Sequence, residues 1–188
     1  MRQRVVRGPK LLIAGLVVGS VLVAHAGAAE GAPAYDRIAV PAAGISLVVP
    51  QAWFRTARTR DEAVGSLNTG FRSGHDANGD HYDDHSVGVQ VYRNAHTVGS
   101  LQDLRSSFAR VPFHDVTVKR TRVAQRPAFV ATYVQDFGNV SISPVFATMY
   151  VFVSRSHQVG LTFQTQQRSD DEFDKMTRTM VRSIRVVR

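Results

Sequence analysis

Between Asp115 and Thr165 four β-rich segments follow one another, joined by links too short for a crossover. They span approximately 116–124, 128–136, 145–153 and 158–165. Gln125-Arg126-Pro127 joins the first two, a stretch holding Gly138, Asn139 and Pro144 joins the next, and a polar turn around Ser154 to His157 joins the last. A parallel neighbour would need a connection of about a dozen residues or more, so these strands pair antiparallel. Side chains alternate along a strand, which puts Phe146, Tyr150 and Phe152 on one face. With Phe129, Tyr133 and Phe163 they make a sheet core, or alternatively an aromatic pocket for an apolar or sugar-like ligand.

Two helices bracket this run. Ser100 caps the first, over 100–110, with Asp103 at its positive end and Leu101, Leu104 and Phe108 on one face. Pro112 bars its extension. The second covers 169–183. Ser169 and Glu172 have capping-box spacing, and Phe173, Met176, Met180 and Ile184 form an apolar stripe. Asp170, Asp171, Glu172 and Asp174 stand at its start and Lys175, Arg178, Arg182 and Arg185 in later turns, as the helix dipole favours. Upstream, 37–41 and 45–49 read as strands around Ala42-Ala43-Gly44, and Trp53 and Phe54 anchor one end of the core. Thr59 and Glu62 suggest a short helix over 59–67, weakened by Gly65. Residues 69–72 read as a strand, and Val87, Val89 and Val91 alternate with Gly88, Gln90 and Tyr92 as another. The class is α+β, an antiparallel sheet flanked by helices.

Residues 1–29 read as a secretory signal peptide. Arg2, Arg4, Arg7 and Lys10 precede the uncharged stretch 11–24, which ends in A-x-A arrangements at Ala24-His25-Ala26 and Ala26-Gly27-Ala28. That stretch is shorter than the roughly 20 residues a membrane span needs, and no later one is longer. The expected organisation is signal peptide 1–29, flexible mature terminus 30–36 and one domain over 37–188, secreted and extracellular. The chain has no cysteine. That excludes disulfides, thiol catalysis, cysteine metal sites and the usual lipid-attachment residue. Four of the 23 basic residues lie in the signal, leaving 19 against 15 acidic ones. The run Lys119, Arg120, Arg122 lacks the clustering and stacking aromatics of a nucleic-acid surface, so no nucleic-acid partner is expected.

The order of elements has a recognisable shape. An opening strand ends in Val49-Pro50-Gln51-Ala52-Trp53. SVGVQVYR leads into the Ser100 helix, and VTVKRTRVAQRPAFVATYV turns at Arg126-Pro127-Ala128. VGLTFQTQ closes the sheet and FDKMTRTMVRSIRVV forms the last helix with its Ser183-Ile184-Arg185-Val186 exit. The chain resembles the PsbP-like superfamily over 37–188, especially the secreted and lipid-anchored LpqN-type proteins of actinobacteria. The resemblance implies an α/β/α sandwich, and binding or accessory roles at membranes and protein assemblies without a shared catalytic apparatus. It does not imply photosynthesis, because fold does not fix function.

The sharpest chemical motif is the loop 74–85. Asp76, Asn78 and Asp80 repeat the D-x-[DN]-x-[DN] spacing that converges oxygens on calcium, with Asp84 at the ninth position. His81 replaces the turn glycine and Val87 the closing glutamate, so such a site would hold calcium only weakly. His75, His81 and His85 beside Asp80 and Asp84 suit zinc or another transition metal instead. The plainest reading is a solvated loop in which Asp, Asn and Gly serve turn geometry, with no cofactor. No G-x-S-x-G or H-E-x-x-H motif occurs. His114-Asp115 before a strand, Ser156-His157 in a turn and His96 have no nucleophile placed beside them, and Asn139-Val140-Ser141 is a sequon without an expected use. The sequence therefore points to a secreted, non-catalytic binding or accessory protein whose partner is a protein or an envelope component. A metal-dependent module built on 75–85 is the alternative, and an uncharacterised hydrolase the second.

Overall fold

The alternation read between 115 and 165 becomes a four-stranded meander at the heart of a larger sheet. The structure, a computed structural model, describes residues 34–55, 59–61, 66–72, 85–92, 99–136 and 144–187. Its elements are β1 (Tyr35–Val40), a 3-10 turn (Pro41–Ala43), β2 (Ile45–Pro50), β3 (Phe54–Arg55), β4 (Thr59–Asp61), β5 (Ser66–Arg72), β6 (Ser86–Tyr92), α1 (Leu101–Phe108), β7 (Phe113–Val123), β8 (Arg126–Gln135), β9 (Val145–Ser154), β10 (His157–Thr165), α2 (Asp171–Ser183) and β11 (Arg185–Val186). The large sheet has the order β3-β5-β6-β10-β9-β8-β7, with β4 paired to β5, and every pairing is antiparallel. A small sheet, β1-β2-β11, stands apart from it.

Period two sorts the large sheet into two cores. Phe152, Leu161, Phe163, Val87, Val89 and Val91 point to the side where Phe173, Met176 and Met180 of α2 and Ile45, Leu47 and Val49 of β2 pack. Ala131, Tyr133, Ala147, Met149 and Val151 point the other way, against Leu104 and Phe108 of α1. The expected shared face of Phe146, Tyr150 and Phe152 is present, with Phe152 fully buried and Tyr150 packed on the α2-side core. The architecture is thus the expected α+β class, an antiparallel sheet between helices, with one layer built jointly by α2 and the small sheet.

The helix ends explain where the sites lie. Ser100 accepts the Asp103 N–H while Asp103 accepts the Ser100 N–H, closing the box at α1. The Ser100 N–H and hydroxyl, both donating to Asp103 Oδ2, hold its carboxyl below its ordinary range. At α2 the cap is Asp170 rather than Ser169, its Oδ1 accepting the Phe173 N–H at 2.8 Å. The helix starts one residue later than the capping-box spacing implied. It stops at Ser183, whose Oγ donates to Met180 O at 2.6 Å and accepts the Val48 N–H at 2.8 Å. The chain then buries Ile184 and pairs Arg185 and Val186 with Ser46 and Ile45. This is the structural meaning of the Ser183-Ile184-Arg185-Val186 exit.

The helix expected over 59–67 is replaced by strands. Thr59–Asp61 pairs with Ser66–Asn68, and β5 then pairs with β6 from Ser66 to Arg72. A capping box contributes about 1 kcal/mol, less than a full ladder that also buries Phe71. The pair His114-Asp115 lies inside β7, not before it, at a bulge between His114 and Thr117. β1 begins at Tyr35, two residues ahead of the expected domain start. Trp53 is half-buried against the α2-side core.

Candidate functional site

The first two turns of α2 stand over the ends of β8, β9 and β10, and a cleft of about 330 Å³ opens between them. Register fixes its floor. Thr132, Thr148 and Phe163 lie side by side in one row, and Val134, Phe146 and Thr165 in the next. Phe173, Asp174 and Thr177 of α2 form the roof, and Arg168, Ser169 and Asp170 the approach to the helix. Asp115 joins from the β7 bulge. Its φ of +52° lies in the left-handed region, which a non-glycine residue adopts at a cost. The bulge breaks the ladder and turns the residue off the regular alternation.

The lining mixes hydroxyls, aromatic rings and three carboxylates with one arginine. One group stands out. Thr177 is 6% exposed, and its Oγ1 has no hydrogen-bond partner among the described residues. A buried hydroxyl left unpaired costs about 1–3 kcal/mol. Two residues along, Thr179 satisfies its own hydroxyl on the Lys175 carbonyl at 2.9 Å. Thr117 and Thr132 pair their hydroxyls at 2.7 Å at the sheet's edge.

The histidine beside the α2 cap serves the scaffold. His85 donates from Nε2 to Asp170 Oδ2 at 2.5 Å and stacks on Phe173, with ring centroids 4.5 Å apart and an interplanar angle of 11°. Asp170 therefore uses one oxygen to cap α2 and the other to hold the strand entering β6. This combination is the acid–base pair of the region, and it is committed to fixing the roof of the cleft.

Of the seven residues proposed as metal ligands, His75, Asp76, Asn78, Asp80, His81 and Asp84 lie outside the described residues. His85 alone is described, in the pair with Asp170. Among the described residues no group of three His, Asp or Glu side chains is placed to hold a metal ion. His96 and the sequon also lie outside the described residues. Among the described residues no helix is long and apolar enough to cross a membrane.

No protein-family model matches the chain, and no curated protein matches it in sequence. Solved structures do match its shape. The cyanobacterial PsbP protein (CyanoP) of Synechocystis sp. PCC 6803 superposes with a TM-score of 0.54 at 15% identity, over 86% of this chain and 98% of that one. The fold is PsbP-like. The same PsbP-like shape extends to the Ran-binding protein Mog1p of Saccharomyces cerevisiae, with a TM-score of 0.54 at 10% identity over 83% of this chain and 97% of that one. A Bacteroides thetaiotaomicron VPI-5482 protein matches with a TM-score of 0.51 at 10% identity, over 81% of this chain and 48% of that one.

Of the aromatic residues offered from sequence as an alternative pocket, Tyr133, Phe146 and Phe163 line this cleft, while its polar residues were not assigned to it. Asp115 reads only as a neighbour of His114, and the sequence gives Thr177 no role. Asp170 reads only as one acid among four. The parity of Phe146 with Tyr150 adds a signal, since it aims Phe146 at the side where α2 packs.

Proposed function

We propose that this chain is an exported, non-catalytic binding or accessory protein of the LpqN type, acting in the extracellular space or at the cell envelope. Its partner is a protein or envelope component, contacted through the cleft at the N-terminal end of α2. The observation that carries this reading is the open cleft with its aromatic rings, hydroxyls and carboxylates, beside a buried Thr177 hydroxyl that has no hydrogen-bond partner among the described residues. The hydroxyl is shielded in the free protein and is completed by a ligand's donor or acceptor once the Thr177 side chain turns into the cleft, whose mainly polar lining sets hydroxyls and carboxylates beside aromatic rings. The commitment of His85 and Asp170 to holding the helix start favours binding over acid–base chemistry. A protein with this fold that is described as Ran-binding is consistent with a protein partner. The signal-like segment 1–29 supports export.

Thr177→Val tests the reading, because it separates stability from binding. Removing the unpaired hydroxyl stabilises the free protein by about 1 kcal/mol, read as a raised melting temperature. The same change lowers recovery of the partner when immobilised protein is exposed to an envelope extract. Unchanged partner recovery with Thr177→Val would contradict the role of the cleft. Turnover of a substrate, lost on changing Asp115 or His85, would contradict the non-catalytic assignment. The intact chain, still carrying residues 1–29 in the cytosol, would contradict export.

A further inference from the structure

At the opposite end of α2 the sheet and the small β-layer border a second, open cleft of about 530 Å³. Four arginines from four elements surround it: Arg37 of β1, Arg126 at the start of β8, Arg182 in the last turn of α2 and Arg185 of β11. Among the described residues lining it there is no aspartate or glutamate. None of the four arginines makes an ion pair among the described residues.

The helix dipole explains only part of this gathering. The C-terminal end of a helix carries about half a negative charge. Arg37 already meets it, donating from Nη1 to the Ser183 carbonyl at 3.0 Å and to Ser46 Oγ at 3.2 Å. Those bonds fix its guanidinium while its remaining N–H groups make no hydrogen bond among the described residues. Arg126 has a single long contact, to the Val153 carbonyl at 3.5 Å. It is set at the rim by the β7–β8 turn, where Ala124 and Gln125 both take left-handed angles of 48° and 64°. Two non-glycine residues in that conformation are costly. Like charges brought together without counter-charge repel, so the cleft gains from a multiply charged anion. A guanidinium fork matches two oxygens of a phosphate or sulfate at once.

We propose that this cleft binds a multiply charged oxyanion, a phosphate or sulfate group, between Arg126 and Arg185 with Arg37 and Arg182 completing the ring. The inference is independent of the role of the cleft at the N-terminal end. The basic run on β7 provides the contrast. Lys119 and Arg120 are exposed, but as successive strand residues they point to opposite faces and cannot converge on one ion.

The test is calorimetric titration of the full chain with inorganic pyrophosphate, alongside sedimentation with phosphatidylcholine vesicles with and without phosphatidylglycerol. Binding of pyrophosphate alone assigns a soluble phosphate compound, and binding of the anionic vesicles assigns a lipid headgroup. In either arm Arg126→Gln/Arg185→Gln weakens binding by about tenfold or more. The control pair Lys119→Gln/Arg120→Gln removes the same charge and changes binding by less than about twofold. Arg185→Lys keeps the charge, loses the fork and binds several-fold more weakly. Binding of neither probe, or equal weakening by the two double variants, would overturn the proposal.

Discussion

The two ends of α2 are built on one physical rule and reach opposite chemistry. At the N-terminal end Asp115, Asp170 and Asp174 gather with one arginine beside hydroxyls and aromatic rings. At the C-terminal end four arginines gather with no acid among the described lining residues. The helix dipole favours acids at its start and bases at its end, so part of this asymmetry is simple stabilisation. What exceeds the dipole is instructive. Asp115 comes from a bulge in β7 and Arg126 from the start of β8, so neither serves the helix. Each end recruits charge from other elements and, among the described residues, leaves something unanswered: a hydroxyl without a hydrogen bond at one end, arginines without an ion pair at the other.

The largest expected effect breaks both ends together. Met180 is fully buried beneath α2. Met180→Asp places an unpaired carboxylate there and costs about 4 kcal/mol or more. Cooperative melting should be lost, along with any pyrophosphate binding. Melting at the wild-type temperature would mean that α2 does not seal the core.

A second effect belongs to the α1 side and should spare α2. Burial pushes the Tyr133 hydroxyl up to about 12 from 10.0, with the Thr162 hydroxyl offsetting part of the shift. The raised phenol stays neutral in the fold after the unfolded chain has ionised. The stability it contributes is therefore complete below pH 10 and is lost as pH climbs to about 12. That loss is on the order of 3 kcal/mol. Tyr133→Phe should flatten the alkaline decline in melting temperature, which burial of Tyr92 would otherwise share. An unchanged alkaline profile would remove Tyr133 from the α1-side core.

The smallest effect distinguishes the ends. Asp170→Ala removes the cap of α2 and the partner of His85, for about 2 kcal/mol. Melting should fall by roughly 4–8 °C. Asp170→Asn should recover much of it, because asparagine caps as well as aspartate. Pyrophosphate affinity at the far end should not change. A parallel fall there would mean that the two clefts are coupled through the helix.

What the sequence revealed and what it hid follow from range. Alternation in 145–153 is local, so the common face of Phe146, Tyr150 and Phe152 was legible, as was the stripe Phe173, Met176, Met180. The helix expected over 59–67 failed because a short local signal competed with pairing to β6, a partner more than twenty residues away. Of the two clefts only the aromatic part of the first, Tyr133, Phe146 and Phe163, was legible, as the alternative pocket. Asp115 depends on a bulge that no residue type announces, and Thr177 gains meaning only from the floor it faces. Arg37, Arg126, Arg182 and Arg185 span most of the chain and meet only because β11 returns to β2 beside the β7–β8 turn.

The most direct measurement is an NMR titration of the isotopically labelled chain with inorganic pyrophosphate. The account predicts shifts confined to amides around Arg37, Arg126, Arg182 and Arg185, with Asp115, Asp174 and Thr177 unmoved. Shifts at the N-terminal end of α2, or spread evenly over the basic surface, would contradict it.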